Sequence, residues 1–178
     1  MANTYGLIAT QTLTSSQTSI TFSAIPQTFD DLILTCSLRD SRVSQGPGYL
    51  RLTFNGDTAN TLYFHRNAFS NQASPYSGNF ASGNDYYASF WAAGNTQSMA
   101  NTFGNVEVKI SGYRRAISKG CSVFTIQEQN AVTFNNAGIN VAALQWNNNS
   151  AITSITLIPG DSPYVTNSSA SLYGINNS

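Results

Sequence analysis

The feature that most constrains this chain is a succession of short runs rich in β-branched and aromatic residues, separated by Gly, Asn, Ser and Pro. Several runs alternate between apolar and polar residues. Between residues 49 and 54, for example, Leu50, Leu52 and Phe54 share one face. No stretch of about ten or more residues has the periodicity of an amphipathic helix. The pattern therefore predicts an all-β chain with few or no helices, folded as an antiparallel sandwich or barrel.

We expect about nine to eleven strands, each bounded by turn-forming residues. They are placed at residues 5–13, 19–22, 31–39, 49–54, 62–66, 85–91, 105–110, 119–128, 137–146, 152–158 and 169–175. The Asn55-Gly56 step tolerates positive φ and predicts a turn after residue 54. Residues 67–84 are rich in Asn, Ser and Gly and predict a long loop, whereas residues 92–99 are ambiguous and could hold one helical turn.

Alternation also predicts which side chains are buried. The expected core comprises Leu7, Ile20, Phe22, Leu32, Leu34, Leu50, Leu52, Phe54, Val106, Val108, Ile110, Phe124, Ile126, Ile155, Leu157 and Leu172. The apolar first and last strands indicate that both ends pair into sheets and lie close together. Because the chain shows no internal repeat and no linker, residues 1–178 are expected to form a single β-sandwich domain.

Charge is the second constraint. Only 9% of residues are charged, against an average of about 25%, and eight basic residues balance eight acidic ones. Binding to nucleic acid or to an anionic membrane needs clustered Lys and Arg, so neither partner is expected. The first residues contain neither a basic stretch nor an apolar segment, so no secretory signal is expected. A free monomer without net charge tends to associate, which favours a protein that works within an assembly.

The sequence offers little catalytic chemistry. His65 is the single histidine and lies among aromatic residues, and no Gly-x-Ser-x-Gly motif is present. Asp30-Asp31 is interpreted as a turn leading into a strand rather than as a calcium site. Asp85 is the one acidic residue in an aromatic setting that resembles a cleft. We therefore expect no enzyme activity, no cofactor and no metal.

The two cysteines, Cys36 and Cys121, each lie in an apolar stretch. Buried free cysteines behave as small hydrophobic residues, and this interpretation is favoured, although the sequence leaves a disulfide open. No Cys-x-x-Cys spacing exists, so a zinc site is not supported.

Two groups of residues could bind a partner, with Tyr, Trp and Arg being typical of interface hot spots. The first is an aromatic cluster, part of which could instead belong to the core: Tyr76, Phe80, Tyr86, Tyr87, Phe90 and Trp91. It could stack on sugar rings or on another protein. The second is a basic hairpin with Lys109, Arg114, Arg115 and Lys119, interpreted as a solvated tip or as a contact with an acidic patch.

The two ends of the sequence resemble a family of virion proteins from tailed bacteriophages, common among aquatic and cyanobacterial phages. The matching segments are YGLIATQTL (5–13), SITF (19–22), IPQTFDDLIL (25–34), FNGD (54–57), ITSITL (152–157) and SLYGI (171–175). Residues from about 60 to 150 match only in their general strand pattern. The shared segments are structural, because they are strands and one turn.

The resemblance implies a jelly-roll-like sandwich located in the virion. We expect a capsid decoration (cement) protein, assembled in the host cytoplasm, that lies on the outer capsid surface and bridges major capsid protein subunits. Self-association is expected, with a homotrimer favoured and a dimer possible. The alternative is a tail-fibre or tail-tip module that binds host glycans through the aromatic loop. The partner-binding residues expected are Tyr76, Phe80, Tyr86, Tyr87, Trp91, Arg114 and Arg115.

Overall fold

The computed structural model describes residues 4–43, 48–59, 63–70, 75–76, 88–93, 95–96, 98–127 and 138–177. All regular structure in these residues is β. The twelve strands, in chain order, are β1 (Tyr5–Thr12), β2 (Ile20–Phe22), β3 (Asp31–Leu38), β4 (Gly48–Phe54), β5 (Tyr63–Ser70), β6 (Pro75–Tyr76), β7 (Ala88–Ala93), β8 (Gly104–Ile110), β9 (Lys119–Gln127), β10 (Gly138–Trp146), β11 (Ile155–Pro159) and β12 (Ser169–Ile175). In this part of the chain, no helix is long and apolar enough to cross a membrane.

Eight of the strands pair as a long hairpin folded over on itself. The antiparallel pairs β1–β12, β2–β11, β3–β8 and β4–β7 form its two arms. Two further antiparallel pairs, β12–β3 and β11–β4, close the roll. This is the connectivity of a jelly roll. The sequence prediction of an antiparallel sandwich is thus confirmed, and the topology is of the jelly-roll type.

The other four strands enlarge one sheet. β5 and β6 lie between β4 and β7 in the chain, and β9 and β10 lie between β8 and β11. They add to the edge formed by β8, so the larger sheet has the order β1-β12-β3-β8-β9-β10-β5-β6. The smaller sheet keeps four strands in the order β2-β11-β4-β7. The jelly roll therefore carries a four-stranded extension on one sheet only.

The core lies between the two sheets and follows the alternation expected from the sequence. Thirteen of the predicted core residues are buried: Ile20, Phe22, Leu32, Leu34, Leu50, Leu52, Phe54, Val106, Val108, Ile110, Ile155, Leu157 and Leu172. Burial of such side chains is worth about 1.5–3 kcal/mol each relative to exposure, and it is the main force holding the sheets together. Leu144 and Trp146 extend this core beneath the added strands.

Two predicted core residues, Phe124 and Ile126, instead point outward and are half-exposed. The reason is the register between β8 and β9. Residues directly opposite each other in an antiparallel pair share a face, and buried Val108 lies opposite Val123. This pairing turns Val123 inward, so the alternate residues of β9 face solvent.

The prediction for Leu7 was also wrong, because Leu7 is 61% exposed. Strand β1 contains an irregularity between Leu7 and Ala9, where the register with β12 shifts. A β-bulge of this kind interrupts alternation. Ile8 and Ala9, rather than Leu7, pack against the core.

The strand boundaries differ from the prediction mainly in the middle of the chain. Within the predicted loop at residues 67–84, β5 continues to Ser70 and β6 occupies Pro75–Tyr76, so that part of the loop prediction was wrong. Strand β11 begins at Ile155 because the Asn55 side chain accepts hydrogen bonds from the backbone N–H groups of Thr153 and Ser154. Asn55 and Gly56 both have positive φ, which confirms the predicted turn.

The chain ends lie together as predicted, since Tyr5 is the register partner of Ile175. Asn176 extends the pairing by donating its backbone N–H to the Thr4 carbonyl over 3.0 Å. Cys36 and Cys121 are free and buried, as the sequence predicted. Burial raises the pKa of the Cys121 thiol to about 12, so this thiol stays protonated and unreactive near neutral pH.

Candidate functional site

The largest group of adjacent exposed apolar side chains in the described residues lies on the outer face of β9 and β10. Phe124 is 48%, Ile126 41%, Ile139 46% and Val141 54% exposed. They form two directly opposed cross-strand pairs, Phe124 with Val141 and Ile126 with Ile139. Opposed residues in an antiparallel pair have Cβ atoms about 4.5–5.5 Å apart, so the four side chains form one cluster. We call these four residues the outer apolar face.

The outer apolar face exists because β9 and β10 carry apolar residues on both sides. Their inner sides supply Val123, Ala142 and Leu144 to the core. The core is therefore complete without the outer residues. The remaining outward side chains described on β9 and β10, which include Ser122, Ala143 and Gln145, are small or neutral. Contact with another molecule would therefore bury these four side chains and remove them from water.

The end of the β9–β10 pair is anchored by buried polar contacts. The Lys119 ammonium donates hydrogen bonds to the carbonyls of Ile117 and Asn148, and it lies 5.6 Å from the centroid of the Trp146 ring. The Trp146 indole in turn donates to Asp57 Oδ2 over 3.0 Å. Lys119 is fully buried, which corrects its assignment to a solvated basic tip, and burial lowers the pKa of its amine. These contacts fix the end of the β9–β10 pair that lies away from Ile126 and Ile139.

The two predicted arginines lie together in the β8–β9 turn and are exposed. Arg114 forms an ion pair with Asp30, its guanidinium nitrogen lying 2.9 Å from Oδ1. The turn itself is rigidly held, because Tyr113 is buried and its hydroxyl donates to the Pro26 carbonyl. Arg114 therefore has an intramolecular partner, although it is exposed enough to meet another molecule as well.

The Asp30-Asp31 pair acts as a clamp between this turn and the C-terminus. Asp30 Oδ2 accepts the backbone N–H of Asn177 over 2.9 Å, and this bond together with Arg114 lowers the pKa of Asp30. Asp31 Oδ1 accepts the Gly112 N–H over 2.7 Å, and Asp31 Oδ2 accepts the Asn177 amide over 2.8 Å. The four carboxylate oxygens thus all accept hydrogen bonds from the chain itself. No cluster of three or more His, Cys, Asp or Glu suited to a metal occurs among the described residues.

An open depression of about 310 Å³ adjoins the clamp. Arg115, Ser111 and Ser118 supply its polar groups, and Ile117 supplies an apolar edge. Asp31, which also lines it, is already engaged as described. The depression is open to solvent. The Asp31 carboxylate in its wall is engaged in hydrogen bonds that hold the fold together.

The predicted aromatic contact residues fall mostly outside the described part of the chain. Phe80, Tyr86 and Tyr87 lie outside it entirely. Tyr76 and Trp91 lie on strands β6 and β7, but their side chains are outside the described set. By register, Tyr76 pairs with Phe69 at the edge of the larger sheet, and Trp91 pairs with Tyr49 at the edge of the smaller one. The backbone therefore places these two aromatics on different sheets.

A buried acidic residue lies just beyond β3. Asp40 has no exposed surface, and its Oδ1 accepts the Arg42 N–H over 3.1 Å. Its Oδ2 and the hydroxyl of buried Tyr164 have no hydrogen-bond partner in the described structure. Burial, the largest cause, raises the pKa of Asp40 to about 6. We therefore expect the stability of the fold to depend on the protonation of Asp40. Alternation did not predict this buried group, because Asp40 follows the end of a strand.

No protein-family model and no curated protein matches this chain. Among solved structures, a bacterial lipoprotein from Bacteroides thetaiotaomicron is similar at 10% identity and a TM-score of 0.25, covering 99% of this chain and 91% of that one. A protein of unknown function from Shewanella oneidensis MR-1 is similar at 8% identity and a TM-score of 0.24, covering 100% of this chain and 82% of that one. TM-scores this low support no argument about fold or function.

Proposed function

We propose that this chain is a virion structural protein that decorates the outer surface of a phage capsid and bridges major capsid protein subunits. The observation that supports the proposal best is the outer apolar face of β9 and β10, which the chain's own core does not use. Adjacent exposed apolar side chains of this kind mark sites of protein–protein contact in soluble proteins. A protein with such a face is suited to remain bound to other subunits in an assembly.

The charge pattern supports the same role. A chain with 9% charged residues and no net charge is poorly protected against association when free, but it is well suited to contacts made by apolar burial and neutral hydrogen bonds. The proposed action is mechanical: surface buried across subunit boundaries raises the free energy needed to separate those subunits. The action needs no cofactor and no nucleophile.

The copy number in purified particles of the virus that encodes this chain tests the proposal. A decoration protein should be present at a copy number comparable to that of the major capsid protein. Purified chain should also rebind shells from which it has been stripped, and its rebinding should raise the temperature at which the shells open. A chain that is far less abundant than the shell protein, and that does not rebind, would contradict the proposal.

The tail-associated alternative has a different outcome in the same experiments. It predicts low copy number, location at the tail by antibody labelling, and binding to host glycans. Trp91→Ala should then abolish glycan binding while leaving the fold intact, because aromatic rings stack on sugar faces. A decoration protein carrying the same substitution should show no change in a glycan-binding assay.

A further inference from the structure

We infer that the outer apolar face binds the same face of a second copy of this chain, forming a two-fold symmetric dimer. The inference rests on the contact role proposed above for this face, and it names the occupant of the face while the protein is free of the capsid. It concerns the free protein, so it can fail while the capsid role stands.

The shape of the surface is the first argument. Antiparallel sheets pack face to face at a separation of about 10 Å, with side chains from both sheets interdigitating. Here the row formed by Phe124 and Val141 lies beside the row formed by Ile126 and Ile139. A two-fold axis places the two rows of one copy against the two rows of the other. The same four residues of each copy then form the contact.

The size of the surface sets the strength of the contact. Strands β9 and β10 are neighbours with nine residues each. At about 3.4 Å per residue and about 4.8 Å per strand, their common face covers roughly 300 Å² in plan. This is below the roughly 800 Å² that each partner contributes to a standard interface, so we expect a weak dimer that dissociates on dilution.

Charge is the second argument. The outward side chains described on β9 and β10 include no charged group. Charged residues flank these strands: Glu107 and Lys109 face outward on β8, and Arg66 of β5 is the register partner of Ala143. A second copy therefore meets the outer apolar face itself without charge repulsion.

The symmetry follows from the use of one surface. A ring of three copies needs two different complementary patches, while a two-fold dimer needs only one self-complementary patch. The other large exposed apolar side chains in the described residues, such as Leu7, Val43 and Met99, lie outside β9 and β10. The structure therefore favours the dimer that the resemblance left open over the trimer.

Sedimentation of the purified full chain at micromolar to tenfold higher concentrations tests this inference. We expect a species of twice the 19.1 kDa chain mass. The double substitution Phe124→Thr with Val141→Thr keeps β-forming residues while removing the apolar contact, and it should weaken dimerisation at least tenfold. The matched control is Leu7→Thr, which removes a comparably exposed apolar side chain from edge strand β1 of the same sheet, away from β9 and β10, and should leave the dimer unchanged.

A monomer at all concentrations would overturn the inference, and so would a dimer that the double variant leaves intact. Circular dichroism and thermal melting of the double variant check that it is folded. If it is not, Ile139→Thr alone provides the second test with the same expected loss. Capsid rebinding is measured separately. A monomeric chain that still occupies shells would refute the dimer and leave the decoration role standing.

Discussion

The outer surface of the larger sheet has two contrasting halves. On β12, β3 and β8, the outward residues are mainly polar, including Ser171, Thr35, Glu107 and Lys109. On β9 and β10, the outward residues include Phe124, Ile126, Ile139 and Val141. Both halves have the same antiparallel backbone and a buried inner side, although the inner side of β9 and β10 also carries the polar residues Lys119, Thr125, Gln127 and Asn140. The difference shows that core formation constrains only the inner side of a sheet and leaves the composition of its outer side free to vary.

The comparison predicts, first, that buried leucines on the inner sides of the two halves contribute similarly to the free energy of unfolding. Leu34→Ala in the polar half and Leu144→Ala in the apolar half should each lower the free energy of unfolding by about 2–5 kcal/mol, because both side chains are buried and each change leaves a cavity. Urea unfolding of both variants checks this. A cost below about 1 kcal/mol for Leu144→Ala would show that the added strands do not share the core.

The second prediction concerns the pH dependence of stability and involves Asp40, which follows β3 of the polar half. The pKa of Asp40 is raised from 3.8 to about 6, so the ionised form destabilises the fold. The stability associated with this group is complete below about pH 4 and is lost as the pH rises through 6. Asp40→Asn should therefore be more stable than the parent by about 1–2 kcal/mol at pH 8, with solvent screening taken into account, and should show no gain at pH 4.

Unfolding at several pH values measures this difference directly. Glu107→Gln is the matched control, because Glu107 is an exposed carboxylate on β8 that is not among the groups acting on the pKa of Asp40. It should not reproduce the gain at pH 8. Equal gains in the two variants would assign the effect to overall charge instead of to the buried group.

The third prediction separates the outer sides of the two halves. Phe124→Thr should change the intrinsic stability of the monomer by less than about 1 kcal/mol, because its side chain is half-exposed and does not belong to the core. The apparent melting temperature of the parent should rise with protein concentration, as expected for a dimer, and this dependence should be much weaker in the variant. Calorimetry over a range of concentrations gives both quantities. A large loss that does not depend on concentration would place Phe124 in the core after all.

The smallest effect is expected at the basic tip. Arg114→Ala removes an exposed ion pair with Asp30, and such pairs contribute little and are screened by salt. We expect a slight fall in melting temperature at low salt that disappears at high salt. Arg115→Ala, which breaks no ion pair described here, is the control. Loss of capsid binding in Arg114→Ala, without loss of stability, would instead make this tip a shell contact.

The two halves also differ in how well the sequence predicted them. The one-sided alternation of Val106, Val108 and Ile110 on β8 fits a single burial pattern, and those residues are buried as predicted. Strand β9 has apolar residues on both sides, with Cys121 and Val123 on one side and the larger Phe124 and Ile126 on the other. The prediction chose the larger side chains as the buried ones and was wrong. The outer apolar face was therefore missed, although apolar residues at consecutive positions of a strand are a signal that could have revealed it.

The sequence by itself determined the all-β class, the antiparallel pairing, the turn at Asn55-Gly56 and most of the core, because these depend on local alternation and on local backbone preferences. Only the tertiary structure decided which side of β9 is buried, since that depends on the register between β8 and β9. It also decided that Lys119 is enclosed by carbonyls and the Trp146 ring, and that Asp30 and Asp31 bind the C-terminal segment. These contacts join residues far apart in the chain, and the energy of each depends on neighbours that no local pattern specifies.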